Sequence, residues 1–365
     1  MVVGVINFME LSFNIGKNFI SKNSKTYFIA DIAANHDGSF KRALNLIKLA
    51  AKAGADAAKF QHFKAETIVS DLGFKSLKRK LSHQSKWKKS VFEVYKEASI
   101  NFAWTKGLQK QCKKFNIDFM TAPYDLDYVD QVNKFIPAYK IGSGDITWLE
   151  IIKKIAKKKK PVIIATGASS IEDVTRAVNL VKKYNKKIVL MQCNTNYTAE
   201  DQNNSYLNLN VLKTYKKKFG KNVILGLSDH TFGHNSVLGS IALGARVVEK
   251  HFTDNNNRKG PDHLFSMNFK TWKEMIKQAR TLEKSLGNGN KIIEKNEEES
   301  SVLQRRSIRS NCNLKKGTII KKKHLIYLRP CPKNGLNPYE ENKIIGKRLI
   351  KNILKEEIIN CKNTK

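Results

Sequence analysis

The chain has 365 residues, enough for one large hydrophobic core and a small second domain. Hydrophobic residues make up 41% of it and only 7 residues are proline, a composition typical of globular rather than disordered chains. No apolar run reaches the ~20 residues that cross a bilayer, and the first residues lack the basic and apolar segments of a secretory signal. We therefore expect a cytoplasmic protein with no membrane partner.

The net charge of +35 raises the alternative of a noncatalytic, nucleic-acid-binding protein. Only 11 of the 67 basic residues are arginine, however, and the lysine runs at 157–160, 216–218 and 321–323 lie in separate segments. Proteins that read nucleic acids usually concentrate their charge on one face and favour arginine for bidentate contacts. We expect a lysine-rich solvated surface, no nucleic-acid partner and a modest attraction for anionic substrates.

Five cysteines are scattered through the chain, and no two of them are spaced as CxxC. The pattern therefore indicates neither a disulfide framework nor a structural zinc site. Cys193 is a candidate nucleophile, but a small apolar side chain that packs at a strand end is the simpler interpretation. We predict the packing role.

After a polar leader at 1–24, short β-like runs alternate with helical stripes. Strands are predicted at 27–33, 55–61, 117–122, 138–142, 161–166, 188–194, 223–228 and 246–252, each followed by a helix. Eight such units are the signature of a closed (β/α)8 TIM barrel, which we place at 25–287. An open doubly wound sheet is the alternative, but it usually has fewer strands and leaves its edges exposed.

The βα pattern breaks after Leu286. A glycine- and asparagine-rich stretch and a charged run form a predicted linker at 288–301. Short strand-like pieces with a turn at Lys315–Gly317 then indicate a small β-rich domain at 302–361. A domain of about 60 residues is marginally stable by itself, so we expect it to dock onto another surface.

Polar residues collect at the carboxyl ends of the predicted strands. The set is Asp31, Asn35, Lys59, Gln61, Thr121, Lys140, Ser143, Thr166, Asn194, Ser228, His230 and His251. Barrel active sites are built at that rim, and a random scatter of polar residues would not collect there. The distribution indicates an enzyme.

Lys59 and Lys140 stand inside otherwise apolar strands, where a lysine is costly unless it meets an anion. The hydroxyls of Ser143 and Ser228 lie at the same rim, so the four residues could form a pocket for phosphate or carboxylate. Each lysine could instead be a structural ion-pair partner. A Schiff-base lysine is the third possibility, and it would make the protein a class I aldolase.

His230 and His251 end two strands that are neighbours in the predicted barrel. With Asp229, Glu249 and Asp254 nearby, we predict that the two imidazoles hold a divalent metal, and nitrogen plus oxygen ligands suit Mn²⁺ or Mg²⁺ better than a closed zinc site. The alternative for each is a hydrogen-bonded core histidine.

Asp31 and Asp145 are placed where a general acid or base would face a bound substrate. Their alternative role is to pair with Lys59 and Lys140 as counter-ions. Both roles could hold at once.

Several motifs, taken in order, resemble the N-acetylneuraminate (sialic acid) synthase family. They are Ile32–Gly38, Ala58–Gln61, Tyr139–Gly144, Gly226–Thr231 and Lys250–Asp254, the last followed by Gly260–Asp262. The resemblance covers about 25–350, because Arg305–Arg309, Lys315–Gly317 and Leu328–Pro330 are similar to the family's C-terminal antifreeze-like (SAF) domain, which has a β-clip fold.

The resemblance implies an N-acetylneuraminate synthase. Such an enzyme condenses phosphoenolpyruvate with N-acetylmannosamine, or a close N-acyl hexosamine, and water, and it releases phosphate and a nine-carbon 2-keto sugar acid. Synthases of legionaminic and pseudaminic acid share most of these motifs, so they stay open as alternatives, as does an aldolase on the same barrel without phosphate release.

The resemblance also implies residue roles. His230 and His251 bind the metal, which polarises the aldehyde oxygen. The expected catalytic residues are Asp31, Lys59, Asp145 and Glu249. The expected substrate-binding residues are Lys59, Gln61, Lys140, Ser143, Thr166, Asn194, Tyr197, Ser228, Asp262 and Arg329. Among these, Arg329 is expected to reach the sugar's N-acyl group from a partner subunit, which implies a domain-swapped homodimer.

The chain departs from the family pattern at four positions. Asp31 and Asp145 stand where the family more often has glutamate, so each carboxylate is one methylene shorter. Ala122 and Ala165 stand where phosphate-binding hydroxyls are often found. The neighbouring Thr121 and Thr166 could substitute for them only if strand alternation turns their side chains inward.

Overall fold

In a computed structural model the protein is described at residues 11–77, 84 and 87–365. The chain divides into two compact units, Met1–Gly287 and Asn288–Lys365. Among the described residues, no helix is long and apolar enough to cross a membrane.

The first unit is built on a parallel sheet that closes almost completely into a barrel. Within the described residues its strands are β3 (Tyr27–Asp31), β4 (Ala57–His62), β5 (Asp118–Pro123), β6 (Tyr139–Ile141), β7 (Val162–Ala165), β8 (Ile188–Cys193), β9 (Ile224–Asp229) and β10 (Val247–His251). Their order is β5-β4-β3-β10-β9-β8-β7-β6, and β5 and β6 lie beside each other at the seam. The predicted TIM barrel is confirmed, and the open doubly wound sheet is wrong.

Helices follow the strands and cover the outside of the barrel. In the described part of the first unit they are α1 (Phe40–Lys52), α2 (Ala65–Ile68), α3 (Asp71–Ser76), α4 (Val91–Ala98), α5 (Thr105–Lys114), α6 (Leu126–Val132), α7 (Leu149–Lys157), α8 (Ile171–Tyr184), α9 (Val211–Phe219), α10 (Asn235–Ala242) and α11 (Phe269–Ser285). Side-chain caps start many of them; the Ser39 hydroxyl accepts from Arg42 N at the start of α1, for example. The segment between β4 and α5 is longer than the others and carries α2, α3 and α4.

Strand alternation sorts the side chains into an apolar floor and a polar rim. Ile29, Ala57, Met120, Ile163 and Met191 are fully buried in one cluster inside the barrel. Residues two positions further along the strands point the same way and lie closer to the carboxyl ends. The polar residues of the predicted site therefore stand on top of a packed apolar layer.

The segment predicted as a leader contains a hairpin. Strands β1 (Ser12–Ile15) and β2 (Asn18–Ser21) pair antiparallel, and Phe13, Ile15 and Ile20 are buried against the apolar layer inside the barrel. The hairpin turns at Gly16, whose φ of +56° and close approach to Asp118 exclude a side chain. Residues 12–21 thus close the amino end of the barrel; residues 1–10 of the predicted leader lie outside the described residues.

The second unit is small and β-rich, as predicted. It contains α12 (Glu298–Leu303), which lies across the predicted limit between linker and domain, and the antiparallel strands β11 (Ser307–Ser310) and β12 (Leu325–Leu328). Isolated bridges extend the pairing. A separate hydrophobic cluster holds this unit together, and its buried members are Ile308, Leu314, Ile320, Leu325, Ile344, Leu349, Ile353 and Ile359.

Candidate active site

Four charged side chains meet inside the barrel at its carboxyl end. Lys59 Nζ lies 2.6 Å from Asp31 Oδ2 and 3.8 Å from Glu249 Oε2. Lys140 Nζ lies 3.2 Å from Glu249 Oε1. All four are buried, with exposures of 2 to 4%. Two cations and two anions balance here, which is the condition under which such charges are tolerated away from water.

The two carboxylates of this cluster differ in their protonation. Burial by itself raises the pKa of Glu249, but Lys140 and Lys59 lower it to about 2. For Asp31, burial raises the pKa in spite of the attraction of Lys59. Glu249 is therefore a permanent anion, whereas Asp31 is the carboxylate better able to take up a proton.

Hydroxyl groups flank the lysines. Ser228 Oγ donates to Glu249 Oε1 over 3.1 Å, and Ser143 Oγ accepts from the backbone N of Gly167 over 2.9 Å. A side chain on Gly167 would lie 2.3 Å from Thr195 Cγ2 and 3.1 Å from Cys193 Sγ. Because glycine has no side chain, residue 167 leaves room for the Ser143 hydroxyl in this position.

Cys193, predicted to pack at a strand end, lies inside the barrel at the rim. Its thiol faces the barrel interior beside Ser143 and Ser228, and burial raises its pKa. The neutral thiol suits the predicted packing role. The signal that could have placed it was available in strand alternation, because Cys193 shares a face with the buried Val189 and Met191.

The imidazoles of His230 and His251 stand together beside this cluster, with ring centroids 5.3 Å apart. His230 Nδ1 donates to the carbonyl oxygen of Asn194 over 2.8 Å, which leaves Nε2 as the nitrogen with a lone pair. His251 Nε2 lies 3.6 Å from Asp31 Oδ2, and its buried Nδ1 makes no hydrogen bond to any residue that the structure describes. Burial lowers the pKa of His230 to about 3 and that of His251 to about 4, so both rings are neutral.

Neutral imidazoles with available lone pairs are the form that ligates a metal. Among the described residues, Nδ1 of His251 and Oε2 of Glu249 are buried acceptors without a hydrogen bond, which a cation could satisfy. No group of three or more histidine, cysteine or carboxylate side chains in the described residues is arranged around one metal position. The neutral imidazoles and these acceptors are compatible with a divalent ion that would take its other ligands from outside the protein.

Of the three carboxylates expected around the histidines, Glu249 is there, and the other two are elsewhere. Asp254 pairs with Arg42, and Asp229 points out of the barrel to Lys250. Asp31 and Asp262 also approach His251, Asp262 Oδ2 at 4.0 Å from its Nδ1. Asp229 faces outward because adjacency to His230 in sequence places it on the opposite face of the strand.

An aromatic cluster holds the two imidazoles. The ring centroid of Tyr197 lies 4.4 Å from that of His230, and the centroid of Phe265 lies 4.8 Å from that of His251. Tyr197 and Phe265 also contact each other, at 5.3 Å. Phe265 belongs to the loop that follows β10, and no motif in the sequence pointed to it.

A cavity of about 180 Å³ opens beside the histidines. Gln61, Tyr197, His251 and Asp262 line it, so the residues expected to orient a sugar do share one cavity. Asp262 Oδ2 accepts from Ala34 N over 3.1 Å, which fixes its carboxylate at the edge.

The chain is similar to known proteins over most of its length. The model of the NeuB family matches residues 46–291. The chain belongs to the NeuB family. It is 35% identical to the N,N'-diacetyllegionaminic acid synthase of Campylobacter jejuni, with 92% of this chain and 99% of that protein covered. It is 32% identical to the pseudaminic acid synthase of the same species, with coverages of 91% and 94%.

Solved structures show the same fold. The crystal structure of the N-acetylneuraminic acid (sialic acid) synthetase of Leptospira borgpetersenii, in complex with citrate, has a TM-score of 0.69 and 26% identity. The superposition covers 80% of this chain and 95% of the synthetase chain.

Two threonines of the predicted rim, Thr166 as a substrate-binding residue and Thr121 as a possible substitute for Ala122, are not turned toward the lysines. The hydroxyl of Thr166 donates to Met191 O and accepts from Tyr215 on α9, and that of Thr121 contacts Phe60 O and His62. Both hydroxyls thus face the helix layer rather than the lysines, because the inward positions on these strands belong to Ala122 and Ala165.

Three further predicted residues have mixed outcomes. The side chain of Asn194 donates to Tyr206 O, and it is the backbone carbonyl of Asn194 that contacts the site, through His230. Asp145 is half-buried after β6 and makes no ion pair with Lys140; burial raises its pKa to about 6. Arg329 is exposed in the second unit.

Proposed function

We propose that this NeuB-family protein is a nonulosonic acid synthase. It condenses phosphoenolpyruvate with an N-acyl amino sugar in its aldehyde form and with water, giving a nine-carbon 2-keto sugar acid and phosphate. The observation that carries the proposal is the convergence of two buried lysines and two neutral imidazoles at one rim, beside a cavity of sugar-binding character. The names of the relatives point the same way.

The lysine cluster supplies the binding site for phosphoenolpyruvate. Lys59 and Lys140 meet the carboxylate and phosphate groups of the substrate, and Ser143 and Ser228 add hydroxyl donors. Because Asp31 and Glu249 already neutralise the lysines, an arriving anion adds excess negative charge. Asp31 can relieve that excess by taking a proton, since its pKa is already raised.

Glu249 has a positioning role in this scheme. Its carboxylate holds Lys140 and accepts from Ser228, and its pKa of about 2 keeps it charged throughout. It therefore fixes the directions in which the lysine and the hydroxyl face the substrate.

His230 and His251 are proposed to hold Mn²⁺ or Mg²⁺, which when bound supplies Lewis-acid polarisation of the sugar's aldehyde oxygen. The chain's own contribution is to keep both rings neutral by burial and to fix His230 through the Asn194 carbonyl. Tyr197 and Phe265 exclude water from one side of the pair.

The bond changes balance as follows. The alkene carbon C3 of phosphoenolpyruvate bonds to the aldehyde carbon, and the aldehyde oxygen takes a proton. Water adds at C2 of the former enol and loses a proton, which leaves a hydroxyl on the tetrahedral carbon. The C–O bond to phosphate then breaks as that hydroxyl forms the 2-keto group and gives its proton to the leaving phosphate. Asp31, beside Lys59 and His251, and Asp145, with its pKa of about 6, are the carboxylates placed to carry these protons.

Gln61, Tyr197 and Asp262 are proposed to orient the sugar, because they line the cavity next to His251. The acceptor is N-acetylmannosamine or a 6-deoxy di-N-acyl relative; the second is favoured by the 35% identity to a legionaminic acid synthase. The second unit is proposed to be an SAF-like domain that sends Arg329 into the site of a partner subunit in a domain-swapped homodimer.

An aldolase that uses a Schiff-base lysine is the weaker candidate. A nucleophilic lysine needs a lowered pKa, whereas Asp31 and Glu249 raise the pKa of Lys59 against the effect of burial. The amine is held as an ammonium ion, which suits anion binding.

The test is phosphate release from phosphoenolpyruvate with candidate sugars and Mn²⁺, with the sugar acid identified by mass spectrometry. We expect release that requires both sugar and metal. Product formation from pyruvate, or trapping of a substrate by borohydride, would replace the synthase by an aldolase.

A further inference from the structure

Two residues that contact His251, Asp262 and Phe265, lie in an irregular loop. The loop runs from 253 to 267, all within the described residues, and joins β10 to α11 without a helix or strand of its own. Loops on a protein surface are usually more mobile than the strands that they follow. A site that needs the Asp262 carboxylate beside His251 therefore requires contacts that fix this loop.

The loop is folded back on the end of β10. Met267 N donates to His251 O, and Thr253 N donates to Met267 O, each over 2.9 Å. Farther along the loop, Asn256 Nδ2 donates to the carbonyl oxygen of His263 over 3.0 Å. These contacts close the base of the loop and leave the side chain of His263 inside it, completely buried.

Both ring nitrogens of His263 have a partner. Its Nε2 lies 2.8 Å from Asp37 Oδ1, and its Nδ1 lies 2.7 Å from Thr253 Oγ1. Burial by itself raises the pKa of Asp37, but the contacts with His263 and Arg258 lower it, so this carboxylate is charged. An ionised carboxylate only accepts, so His263 Nε2 carries a proton and donates it in a charge-assisted hydrogen bond.

Asp37 belongs to a different loop, the one between β3 and α1. Its Oδ2 also accepts from Arg258 Nε over 3.1 Å, and Arg42 at the start of α1 pairs with Asp254. Three contacts thus join the β3 loop to the 253–267 loop. Of these, the contact through His263 reaches the inside of the loop.

Asp262 directly precedes His263. Its Oδ2 accepts from Ala34 N over 3.1 Å and lies 4.0 Å from His251 Nδ1, and its carbonyl oxygen accepts from Ser266 Oγ over 2.6 Å. Because the two residues share a peptide bond, anchoring the ring of His263 fixes the backbone at 262–263. The direction of the Asp262 carboxylate is fixed with it.

We propose that His263 is a positioning residue for the acceptor sugar: it clamps the 253–267 loop to Asp37, so that Asp262 faces the substrate. This role rests on the proposed function, in which Asp262 orients the sugar beside His251. His263 does not line the described part of the cavity. It therefore acts through Asp262 and not on the sugar.

The experiment starts from His263→Leu, which removes both hydrogen bonds of the ring and keeps an apolar side chain. Phosphate release is measured at saturating phosphoenolpyruvate and Mn²⁺ with varied N-acetylmannosamine, or with the 6-deoxy di-N-acyl sugar if that is the better acceptor. We expect KM for the sugar to rise about tenfold, the effect of one lost charge-assisted hydrogen bond. KM for phosphoenolpyruvate should stay within twofold. A general loss of folded protein would lower kcat and leave both KM values unchanged.

Three further variants separate positioning from stability. His263→Gln places an amide N–H where Nε2 lies and should restore most of the sugar KM. Asp37→Ala removes the partner from a part-exposed position with the ring intact, so it should raise the sugar KM even if His263→Leu does not fold. His62→Leu is the matched control, because His62 is as buried and bonds two hydroxyls, Thr121 and Thr105, at 2.8 and 2.9 Å. It should leave both KM values within twofold of the parent.

A double-mutant cycle tests whether His263 acts through Asp262. Asp262→Ala alone should raise the sugar KM, and adding His263→Leu should change it less than twofold further. A full tenfold effect in the double variant, an unchanged sugar KM in Asp262→Ala, or an unchanged sugar KM in both His263→Leu and Asp37→Ala overturns this inference and leaves the synthase standing. No phosphate release by the parent protein with any acceptor counts against the synthase itself, and with it against a sugar-positioning role.

Discussion

Lys250 Nζ lies 2.5 Å from Asp229 Oδ2, and the two residues are partners in the ladder between β9 and β10. Each immediately precedes one of the two site histidines, and both face outward. The ion pair is completely buried, at 1% exposure for either residue, and Lys250 also donates to Thr231 O. It therefore ties together, from the outside, the two strands that present His230 and His251 inside.

The first prediction concerns this pair. Lys250→Met removes the cation but keeps the volume, and it leaves Asp229 charged and buried with only hydroxyl and backbone donors. Breaking a buried pair in this way costs about 3–5 kcal/mol. Urea unfolding followed by circular dichroism measures the loss.

The matched control for Lys250→Met is Lys75→Met, which breaks the exposed Lys75–Asp71 pair on α3. Exposed pairs contribute about 0–1 kcal/mol, so this variant should unfold at nearly the same urea concentration as the parent protein. Equal stability of the two variants would show that the buried pair does not tie the strands.

The second prediction concerns the imidazoles. His230→Ala and His251→Ala should each abolish metal-dependent phosphate release and weaken Mn²⁺ binding, measured by electron paramagnetic resonance of free Mn²⁺. Both variants should keep the circular dichroism spectrum of the parent protein, because neither imidazole takes part in the backbone hydrogen bonds between the barrel strands. His234→Ala, a histidine at the start of α10, is the control and should bind Mn²⁺ normally. Normal Mn²⁺ binding by both site variants would remove the metal role.

The sequence predicted all eight barrel strands to within two residues of their ends, because buried parallel strands are continuous apolar runs between polar turns. It also placed Lys59, Lys140, His230 and His251 correctly at the rim. Whether a side chain at a strand end points in or out depends on one residue of register. Thr166 was expected to bind substrate and Asp229 to lie near the metal, and both instead face the helices.

Other parts of the site had no local signal. Phe265 reaches the imidazoles from a loop, and Trp87 reaches the cavity from the insertion between β4 and α5. The hairpin at 12–21 is short, and its apolar residues find a partner only in the finished barrel floor. Such contacts arise between segments distant in sequence, so periodicity within one segment does not reveal them.

The third prediction is a pH dependence. Burial raises the pKa of Asp145 to about 6 in the folded protein, above an unfolded value near 3.8. A raised pKa means that the protonated carboxyl stabilises the fold, and that this stability is present below pH 4 and lost as the pH rises through 6. Asp145→Asn, which is always neutral, should match the parent at pH 4 and exceed it by about 1–2 kcal/mol at pH 7.5.

Urea unfolding of both proteins at the two pH values measures this difference. If Asp145 also carries a proton in the reaction, Asp145→Asn should lose the limb of the kcat profile near pH 6 while it gains stability. A variant that is no more stable at pH 7.5 than the parent would contradict the burial cost.

The last prediction concerns the pocket wall at Gly167. A methyl group there would lie 2.3 Å from Thr195 Cγ2 and 3.0 Å from Ser143 Oγ, so Gly167→Ala must shift Thr195 and crowds the Ser143 hydroxyl, which now accepts from Gly167 N. Since that hydroxyl is proposed to bind phosphoenolpyruvate, we expect KM for this substrate to rise about tenfold, the effect of one lost hydrogen bond of about 1.4 kcal/mol. Gly144→Ala is the control, because a methyl group at 144 meets no atom within 4 Å. KM for the sugar should stay within twofold in both variants. An unchanged KM for phosphoenolpyruvate in Gly167→Ala would show that phosphoenolpyruvate binds elsewhere on the rim.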